Sequence, residues 1–363
     1  MRVLFYISER GWTGSARAFV VAATGLRERG HQVIVVCPPG SEVEQRLDPT
    51  SYEVVALRTS GRWVGAARRL RHVLLERFAE VVFVHGERDQ LVAASAARMA
   101  GRSAVLRRVP FGEEVRAGRR ARLAMKLVAT GYVFATEHDA RRFGTPLASP
   151  LESVVAPLGV DANVADSLRG PARALAGAAG VAQLIFCAYD RTSRIRAAPV
   201  LRVVALLAER HPELRLAVAG PGSLDEELGM HAAALRITRV VRFLGDRPDA
   251  FSVLRAADIG WVVAYGDDGA FALLDLMAAR VPVLAVRSAL AEHFVADGIT
   301  GILFDSTDAA MIAAPVARLL AHEDERAAMA SAARARVVRD FALGTMIDGF
   351  EQAAMAASEK ARW

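Results

Sequence analysis

The chain has 363 residues, of which 53% are hydrophobic and 24% are charged. This length exceeds what one hydrophobic core usually organises, and the composition excludes a largely disordered chain, so two α/β domains are predicted. The net charge of +6 is uneven, because residues 1–160 hold 24 Lys and Arg against 15 Asp and Glu, and residues 161–363 hold 22 against 25. The basic first half favours an anionic partner, which leaves a membrane surface, a phosphorylated acceptor and nucleic acid open. Genome composition is the competing explanation, because Lys126 and Lys360 are the only lysines and Arg is the default cation.

No apolar run reaches the roughly 18 residues that a membrane-spanning helix needs, and Met1 to Ile7 leads into a strand pattern rather than a signal peptide. We therefore expect a cytoplasmic protein. Cys37 and Cys187 end apolar runs that lie far apart in the sequence, with no metal-ligand spacing around them. Both are predicted to be small core residues, and no metal site is predicted.

In the first half, short apolar runs alternate with longer amphipathic stretches, a pattern typical of βαβ units around a parallel sheet. A helix is predicted over 15–29, ending before Gly30, and the Ala-, Gly- and Asp-rich stretch 161–180 is predicted to be a linker. The predicted strands are 2–7, 31–37, 52–57, 79–85, 103–109, 131–136 and 153–157.

The second half repeats the pattern, so a second parallel α/β domain is predicted. Its strands are predicted at 183–188, 214–220, 239–245, 258–263, 281–286 and 301–304, and its first helices at 198–210, 224–235 and 248–256. Three amphipathic helices are predicted to close the chain.

Ligands of parallel sheets bind beyond the carboxyl ends of the strands, so the loops there are the first places to search for a site. The first is the loop 8–15, where Gly11 and Gly14 allow close approach of the backbone and the next helix offers N–H groups to an anion. The loop lacks the GxGxxG fingerprint of dinucleotide sites, and an ordinary turn is the alternative interpretation.

The second half holds a denser cluster, made of the segments 217–227, 241–249, 266–285 and 295–305. Asp267 and Asp275 lie eight residues apart with Gly269 between them. If a helix begins near Ala270, both carboxylates address one ligand, and the amides of 270–273 suit a diphosphate. The alternative interpretation makes Asp267 and Asp268 helix caps and Asp275 a solvated helix residue.

The order and spacing of these segments resemble the retaining glycosyltransferases of family 4. That family has the GT-B fold, an α/β architecture of two Rossmann-like parallel-sheet domains facing across a cleft. The resemblance covers nearly the whole chain, through GLRERGHQVIVV (25–36), VVFVHG (81–86), APLGVD (156–161) and the stretch 211–305. It implies an acceptor-side domain at 1–160, a linker at 161–180, a nucleotide-sugar-binding domain at 181–341 and a helix crossing back to the first domain at 342–363.

The family's signature is a Glu that contacts the donor sugar, followed eight positions later by a Glu that holds the ribose. Here Asp267 and Asp275 stand at those positions, and each is one methylene shorter, which changes the reach by about 1.5 Å. The family also grips the diphosphate with an Arg and a Lys after the first strand of the second half. In this chain Tyr189 stands at or near the Arg position, and Arg194 best matches the Lys, with Arg191 and Arg196 as alternatives.

His85 ends a predicted strand and matches a family histidine beside the acceptor and the reacting sugar, so the resemblance implies a role in orienting the substrate. A satisfied structural histidine is the alternative. The predicted catalytic residues are His85, Asp267 and Arg194, and the predicted donor-binding residues are Gly14, Arg191, Arg196, Gly222, Gly269, Ala270, Phe271 and Asp275.

The segment 113–131 interleaves basic and apolar residues, as a helix lying on anionic lipid does. An ordinary surface helix is the alternative, and Arg107 and Arg108 before it are candidates for contact with a phosphate-bearing acceptor. Nucleic acid is not expected as a partner, because no aromatic platform accompanies the arginines.

The resemblance implies a metal-independent, retaining transferase without a cofactor, using a nucleotide-diphosphate sugar as donor and a glycolipid, polysaccharide or small glycoside as acceptor. The segments RGWTGSAR (10–17) and LRRVPFG (106–112) resemble the lipopolysaccharide and cell-envelope branch. Peripheral contact with the inner face of the membrane is the accompanying expectation. A non-catalytic GT-B binding subunit and a sugar-nucleotide epimerase remain alternatives, because fold-level analogy alone does not decide between them.

Overall fold

The computed structural model of the protein describes residues 1–48, 50–115, 118–147, 151–163, 169–180, 183–190, 194–220, 226–246 and 250–360. Its strands are β1 (Arg2–Tyr6), β2 (Gln32–Cys37), β3 (Glu53–Ala56), β4 (Val81–Val84), β5 (Ala104–Val109), β6 (Thr130–Phe134), β7 (Val154–Val155), β8 (Leu184–Tyr189), β9 (Arg215–Ala219), β10 (Val241–Gly245), β11 (Ile259–Val263), β12 (Val283–Val286) and β13 (Gly301–Phe304).

The helices alternate with these strands and then close the chain. They are α1 (Gly14–Glu28), α2 (Glu42–Arg46), α3 (Trp63–Arg77), α4 (Glu87–Ala100), α5 (Arg119–Leu127), α6 (Glu137–Leu147), α7 (Arg169–Leu175), α8 (Arg194–Ala208), α9 (Glu226–Ala234), α10 (Ala250–Ala256), α11 (Gly266–Ala278), α12 (Ala289–Phe294), α13 (Ala309–Ala321), α14 (Glu323–Asp340) and α15 (Leu343–Lys360).

The chain divides into two compact units. Unit 1 comprises Met1–Leu158 and Leu343–Trp363, so α15 belongs to it, and unit 2 comprises Gly159–Ala342. Unit 1 has a seven-stranded sheet in the order β3-β2-β1-β4-β5-β6-β7, and unit 2 a six-stranded sheet in the order β10-β9-β8-β11-β12-β13. Every strand pair is parallel. The predicted pair of Rossmann-like parallel sheets is confirmed.

In each sheet the chain runs outward through three strands and then crosses to the other side of the first. The strand order therefore reverses between β1 and β4 in unit 1 and between β8 and β11 in unit 2. At such a reversal the loops at the carboxyl edge diverge to opposite faces and leave a crevice in which ligands of α/β proteins bind. The carboxyl edges at these two reversals are therefore the candidate ligand-binding places.

The core of unit 1 covers both faces of its sheet. Leu4 and Tyr6 face α3 and α4 on one side. On the other side Phe5 stacks on Phe83 with ring centroids 5.1 Å apart, and Phe350 of α15 packs on Phe83 at 5.3 Å. The last helix is therefore tied to unit 1 by aromatic contacts that are fully buried.

Three helices differ from their sequence-based predictions. The helix α8 begins at Arg194 rather than 198 and keeps Pro199 inside it, although proline usually marks a first turn. The helix α11 begins at Gly266 rather than near Ala270, and α7 (Arg169–Leu175) interrupts the predicted linker. Gly266 has φ +55°, a conformation that suits glycine and lets the chain turn directly from β11 into the helix.

Both cysteines are buried and unbonded, as predicted for core residues. Among the described residues, no helix is both long enough and apolar enough to cross a membrane.

Candidate functional site

The carboxyl edge of the unit 2 sheet brings together residues from three neighbouring strands, because β8 lies between β9 and β11. Tyr189 ends β8, and Gly220 directly follows β9 with φ +131°. A Cβ at Gly220 would lie 1.8 Å from the Tyr189 carbonyl oxygen. Any other residue would force the two strand ends apart, so this glycine sets how closely the loops approach at the edge.

Asp190 connects the end of β8 to the start of α11. Its carboxylate is buried, with 7% of the residue exposed, and Oδ2 accepts a hydrogen bond from the Tyr265 N–H at 2.5 Å. A charge-assisted hydrogen bond of this kind holds the turn before α11 in place. Sequence reasoning searched this loop for cations only and missed Asp190. A carboxylate directly after a buried central strand was the available signal.

The helix α11 starts at this same edge. Its N-cap residue, Tyr265, provides no side-chain hydrogen bond to the first turn, which contains Asp267 and Asp268. A Cβ at Gly269 would lie 2.4 Å from the Ala264 carbonyl oxygen and 2.9 Å from Leu290 Cδ2. The glycine therefore lets the first turn sit directly against the end of β11.

The early start of α11 changes which amides face the edge. An N–H group in the second turn bonds to the carbonyl four residues before it, so the amides of 270–273, including those of Ala270 and Phe271, lie within the helix. The N-terminal amides are those of 266–269, and Gly269 N–H already donates to the Tyr265 carbonyl at 3.0 Å. The expectation that the 270–273 amides meet a diphosphate is therefore corrected to the first turn.

Asp267 and Asp275 are both buried, with 4% and 7% of each residue exposed. Eight helical residues separate them by about 12 Å along the axis and about 80° around it, so they project toward one side. Asp275 lies about two and a half turns into the helix, rather than one and a half. The alternative interpretation of Asp275 as a solvated residue is wrong.

The predicted diphosphate cations lie at the start of α8. Arg194 is its first residue and Arg196 its third, and the structure describes only the backbone of both. Arg191 and Gly222 lie outside the described residues. Tyr189, at or near the position where the resemblance places an arginine, is buried with 3% of the residue exposed.

In unit 1, His85 follows β4 at the carboxyl edge and is buried, with 5% of the residue exposed. Its ring packs edge-on against Phe19 with centroids 5.3 Å apart, and Nε2 lies 3.2 Å from Glu9 Oε1. Within the described part of the chain, neither ring nitrogen makes a hydrogen bond of normal geometry. His85 is therefore held by packing and placed beside a carboxylate of the first loop.

Asp89 in the first turn of α4 is a further buried carboxylate at this edge. Ser8 Oγ donates to Asp89 Oδ2 at 2.5 Å, which ties the first loop to α4. Burial raises the pKa of Asp89, because a carboxylate removed from water favours its neutral form. Sequence reasoning also missed this residue, since nothing in the pattern distinguishes it from an ordinary acidic residue in a first helical turn.

Gly14 is the first residue of α1. Thr13 Oγ1 accepts from the Ala16 N–H at 3.2 Å, so this helix supplies its own cap for one of its N-terminal amides. Arg107 and Arg108 are both buried, and Arg107 Nη2 bonds to Glu113 Oε1 at 2.6 Å. In the described ranges, no group of three or more His, Cys, Asp or Glu side chains is placed to hold a metal ion.

Comparison with known proteins places a family match on the second unit. Residues 192–336 match the family model of glycosyl transferases group 1. The D-inositol 3-phosphate glycosyltransferase of Corynebacterium jeikeium is 36% identical over 149 residues, which are 38% of this chain and 36% of that protein. The match thus spans about a third of the length of such curated relatives.

Solved structures share the fold along the whole chain. A glycosyltransferase of Rickettsia africae ESF-5 superposes with a TM-score of 0.80 at 14% identity, over 98% of both chains. Anabaena Alr3699/HepE, solved in complex with UDP and glucose, gives a TM-score of 0.78 at 18% identity, over 98% of this chain and 100% of that one. The protein therefore has the GT-B fold, and residues 192–336 of its second unit match the family model of glycosyl transferases group 1.

Proposed function

We propose that this protein transfers a sugar from a nucleotide-diphosphate sugar to a hydroxyl group of an acceptor, with retention of the anomeric configuration. One observation carries the proposal. The region that matches glycosyl transferases group 1, residues 192–336, contains Gly220, Gly269 and the whole of α11, which form the carboxyl edge of the unit 2 sheet. The family match therefore covers elements that meet at this edge.

The proposed donor lies against this edge. Its diphosphate meets the first-turn amides of α11 and an arginine of the segment 191–196, since a helix N-terminus attracts anions. Asp275 holds the ribose and Asp267 contacts hydroxyls of the donor sugar. Both carboxylates lie on the helix that begins at this edge and project toward one side of it, which supports these roles. The Anabaena protein, which shares the fold, was solved with UDP and glucose.

In the proposed reaction, the bond between the anomeric carbon and the diphosphate oxygen breaks while the acceptor hydroxyl oxygen bonds to the same face of that carbon. The proton of the hydroxyl leaves with the diphosphate. The amides and the arginine stabilise the charge that develops on the leaving group, which is the main electrostatic contribution available without a metal ion. His85 orients the substrate through its ring nitrogens.

The relatives define the class of acceptor less narrowly than the class of donor. The Corynebacterium jeikeium protein is named a D-inositol 3-phosphate glycosyltransferase, so phosphorylated polyols belong in the acceptor panel beside glycolipids and small glycosides. Arg107 is a weaker candidate for the acceptor phosphate than the sequence implies, because its guanidinium already pairs with Glu113. The lipopolysaccharide and cell-envelope branch stays a prediction.

One observation favours a second function, that of a GT-B binding subunit without transferase activity. Tyr189 replaces a cation at or near the first strand end of unit 2 and is buried, so it offers no charge to a departing diphosphate. Such a subunit would bind a sugar nucleotide or a partner enzyme and turn nothing over.

A donor and acceptor panel followed by proton NMR separates these functions. Transfer with the donor's anomeric configuration in the product supports the proposed enzyme, whereas inversion contradicts the retaining mechanism. Binding without turnover of any donor supports the binding subunit. A change of sugar isomer without an acceptor identifies an epimerase. The panel should include a chelator in parallel, since the proposed reaction keeps its rate when divalent metal is removed.

A further inference from the structure

A basic surface with an exposed tryptophan lies at the carboxyl edge of the unit 1 sheet. We call it the arginine–tryptophan surface and define it by Arg62, Trp63 and Val64 at the start of α3 and by Arg119, Arg120 and Leu123 of α5. All six side chains are exposed, including Trp63 at 41% and Leu123 at 43%. Arg119 and Arg120 lie four and three positions before Leu123, so the three share one face of α5.

The first turn of α4 lies between the two halves of this surface and contacts both. Arg88 Nη2 donates to the carbonyl oxygen of Gly61 at 2.9 Å, which fixes the start of α3 against α4. A Cβ at Gly118 would lie 2.7 Å from Glu87 Oε1, so the start of α5 abuts the neighbouring residue of α4. Packed helices lie 8–10 Å apart, and the two halves are therefore separated by roughly 16–20 Å.

The charge on both segments has a single sign. Residues 58–71 contain five arginines and no acidic residue, and residues 118–127 contain three arginines, one lysine and no acidic residue. The apolar side chains of Trp63 and Leu123 are exposed next to these cations and are not buried under them. Cations beside exposed apolar groups match a lipid surface, which offers anionic headgroups and an apolar layer just below them.

We propose that the arginine–tryptophan surface binds an anionic lipid bilayer, with Trp63 at the level of the headgroups. Tryptophan favours this depth because one end of its ring is apolar and the other donates a hydrogen bond. Nucleic acid is the weaker fit, since Trp63 is the sole aromatic residue in both segments and stacking on bases needs a platform. This assignment extends the membrane contact predicted for 113–131 to α3 and limits its helical part to Arg119–Leu127.

The position of the surface suggests what a membrane contact would do for the unit 1 edge. The helices α3, α4 and α5 follow β3, β4 and β5, so their N-termini all lie at the carboxyl edge of the sheet that also carries His85. A protein resting on lipid through these N-termini holds that edge close to the bilayer. An acceptor that is anchored in the membrane then reaches the edge without leaving the lipid.

Sedimentation with lipid vesicles tests the proposal. The full chain should sediment with vesicles of phosphatidylcholine and phosphatidylglycerol, but not with phosphatidylcholine alone, and added salt should release it. The double variant Arg119→Gln/Arg120→Gln should bind about 25-fold more weakly, since each cation at an anionic surface contributes about fivefold. The matched control Arg202→Gln/Arg210→Gln removes two exposed arginines of unit 2 and should bind as the unaltered protein does.

A fluorescence readout tests the depth of Trp63 separately from charge. Brominated lipids should quench part of the tryptophan emission in the unaltered protein, and that part should vanish in Trp63→Phe, whose folding is checked by thermal denaturation. The proposal is overturned if the protein does not bind anionic vesicles, if both double variants lose vesicle binding equally, or if quenching is unchanged in Trp63→Phe. Tighter binding to duplex DNA than to anionic vesicles also overturns it, in favour of a nucleic-acid surface.

Discussion

Replacing Gly269 by alanine tests whether the start of α11 must lie directly against the end of β11. The new Cβ would lie 2.4 Å from the Ala264 carbonyl oxygen and 2.9 Å from Leu290 Cδ2. Ordinary contact needs about 3.4 Å or more, so the first turn of α11 must move about 1 Å away from the strand end. Backbone cannot yield as a flexible side chain does, and the whole turn has to shift.

Overpacking of this kind costs about 1–3 kcal/mol. For a unit of this size, each kcal/mol lowers the thermal midpoint by roughly 2–4 °C. A cost of about 2 kcal/mol, the middle of the range above, therefore lowers the midpoint by about 4–8 °C. The same 1 Å shift displaces the first-turn amides and Asp267, and a displacement of that size lowers a position-dependent rate about 100-fold. Stability and transferase activity should therefore both decrease.

The assay pairs thermal denaturation with sugar transfer and uses Gly229→Ala as the matched control. Gly229 lies in α9 of the same unit, and a Cβ there meets no atom within 4 Å. Alanine should stabilise that helix by roughly 0.5–1 kcal/mol, because it loses less backbone freedom on folding. If Gly269→Ala has the same thermal midpoint as Gly229→Ala and keeps full activity, the close approach of α11 to β11 is not required.

Three further variants probe other contacts. Asp190→Ala removes the acceptor of the Tyr265 N–H and should cost about 1–3 kcal/mol in urea denaturation, and Asp190→Asn, which keeps an acceptor oxygen, should cost less. Because burial raises the pKa of Asp89, its ionisation costs stability as pH rises from the unfolded value of about 3.9 through the higher folded value, so the stability of Asp89→Asn relative to the unaltered protein should increase as pH rises above about 4. A gain that is independent of pH contradicts this account. Phe350→Ala should cost about 3–5 kcal/mol while the exposed Met355→Ala costs almost nothing, and equal effects would refute the aromatic docking of α15.

The fold could be predicted from the sequence because its strands are short apolar runs separated by amphipathic stretches. Runs such as RVLFYI (2–7) and QLIFCA (183–188) are buried on both faces of a parallel sheet, which leaves a continuous apolar signal. Helix starts were predicted less well. Neither Pro199 inside α8 nor the left-handed Gly266 before Asp267 follows the usual start signals.

The candidate site could be predicted only in part, for a similar reason. Asp267 and Asp275 carry a spacing that sequence reasoning detects, and both are buried on α11. Asp190 and Asp89 act through contacts with residues 75 and 81 positions away in the chain, Tyr265 and Ser8. Such contacts form only after the sheet has brought distant strand ends to one edge, so the local sequence pattern does not predict them.

A calorimetric titration of the full chain with nucleoside diphosphates tests the central claim most directly, using Asp275→Ala and the exposed control Asp324→Ala. A hydrogen bond to a charged group contributes about 1.5–3 kcal/mol, which corresponds to roughly 10–150-fold in affinity. We expect one nucleoside diphosphate to bind the unaltered protein and Asp324→Ala equally, and Asp275→Ala at least about tenfold more weakly. Absence of binding by every nucleoside diphosphate, or equal affinity for both variants, would contradict a donor site on α11.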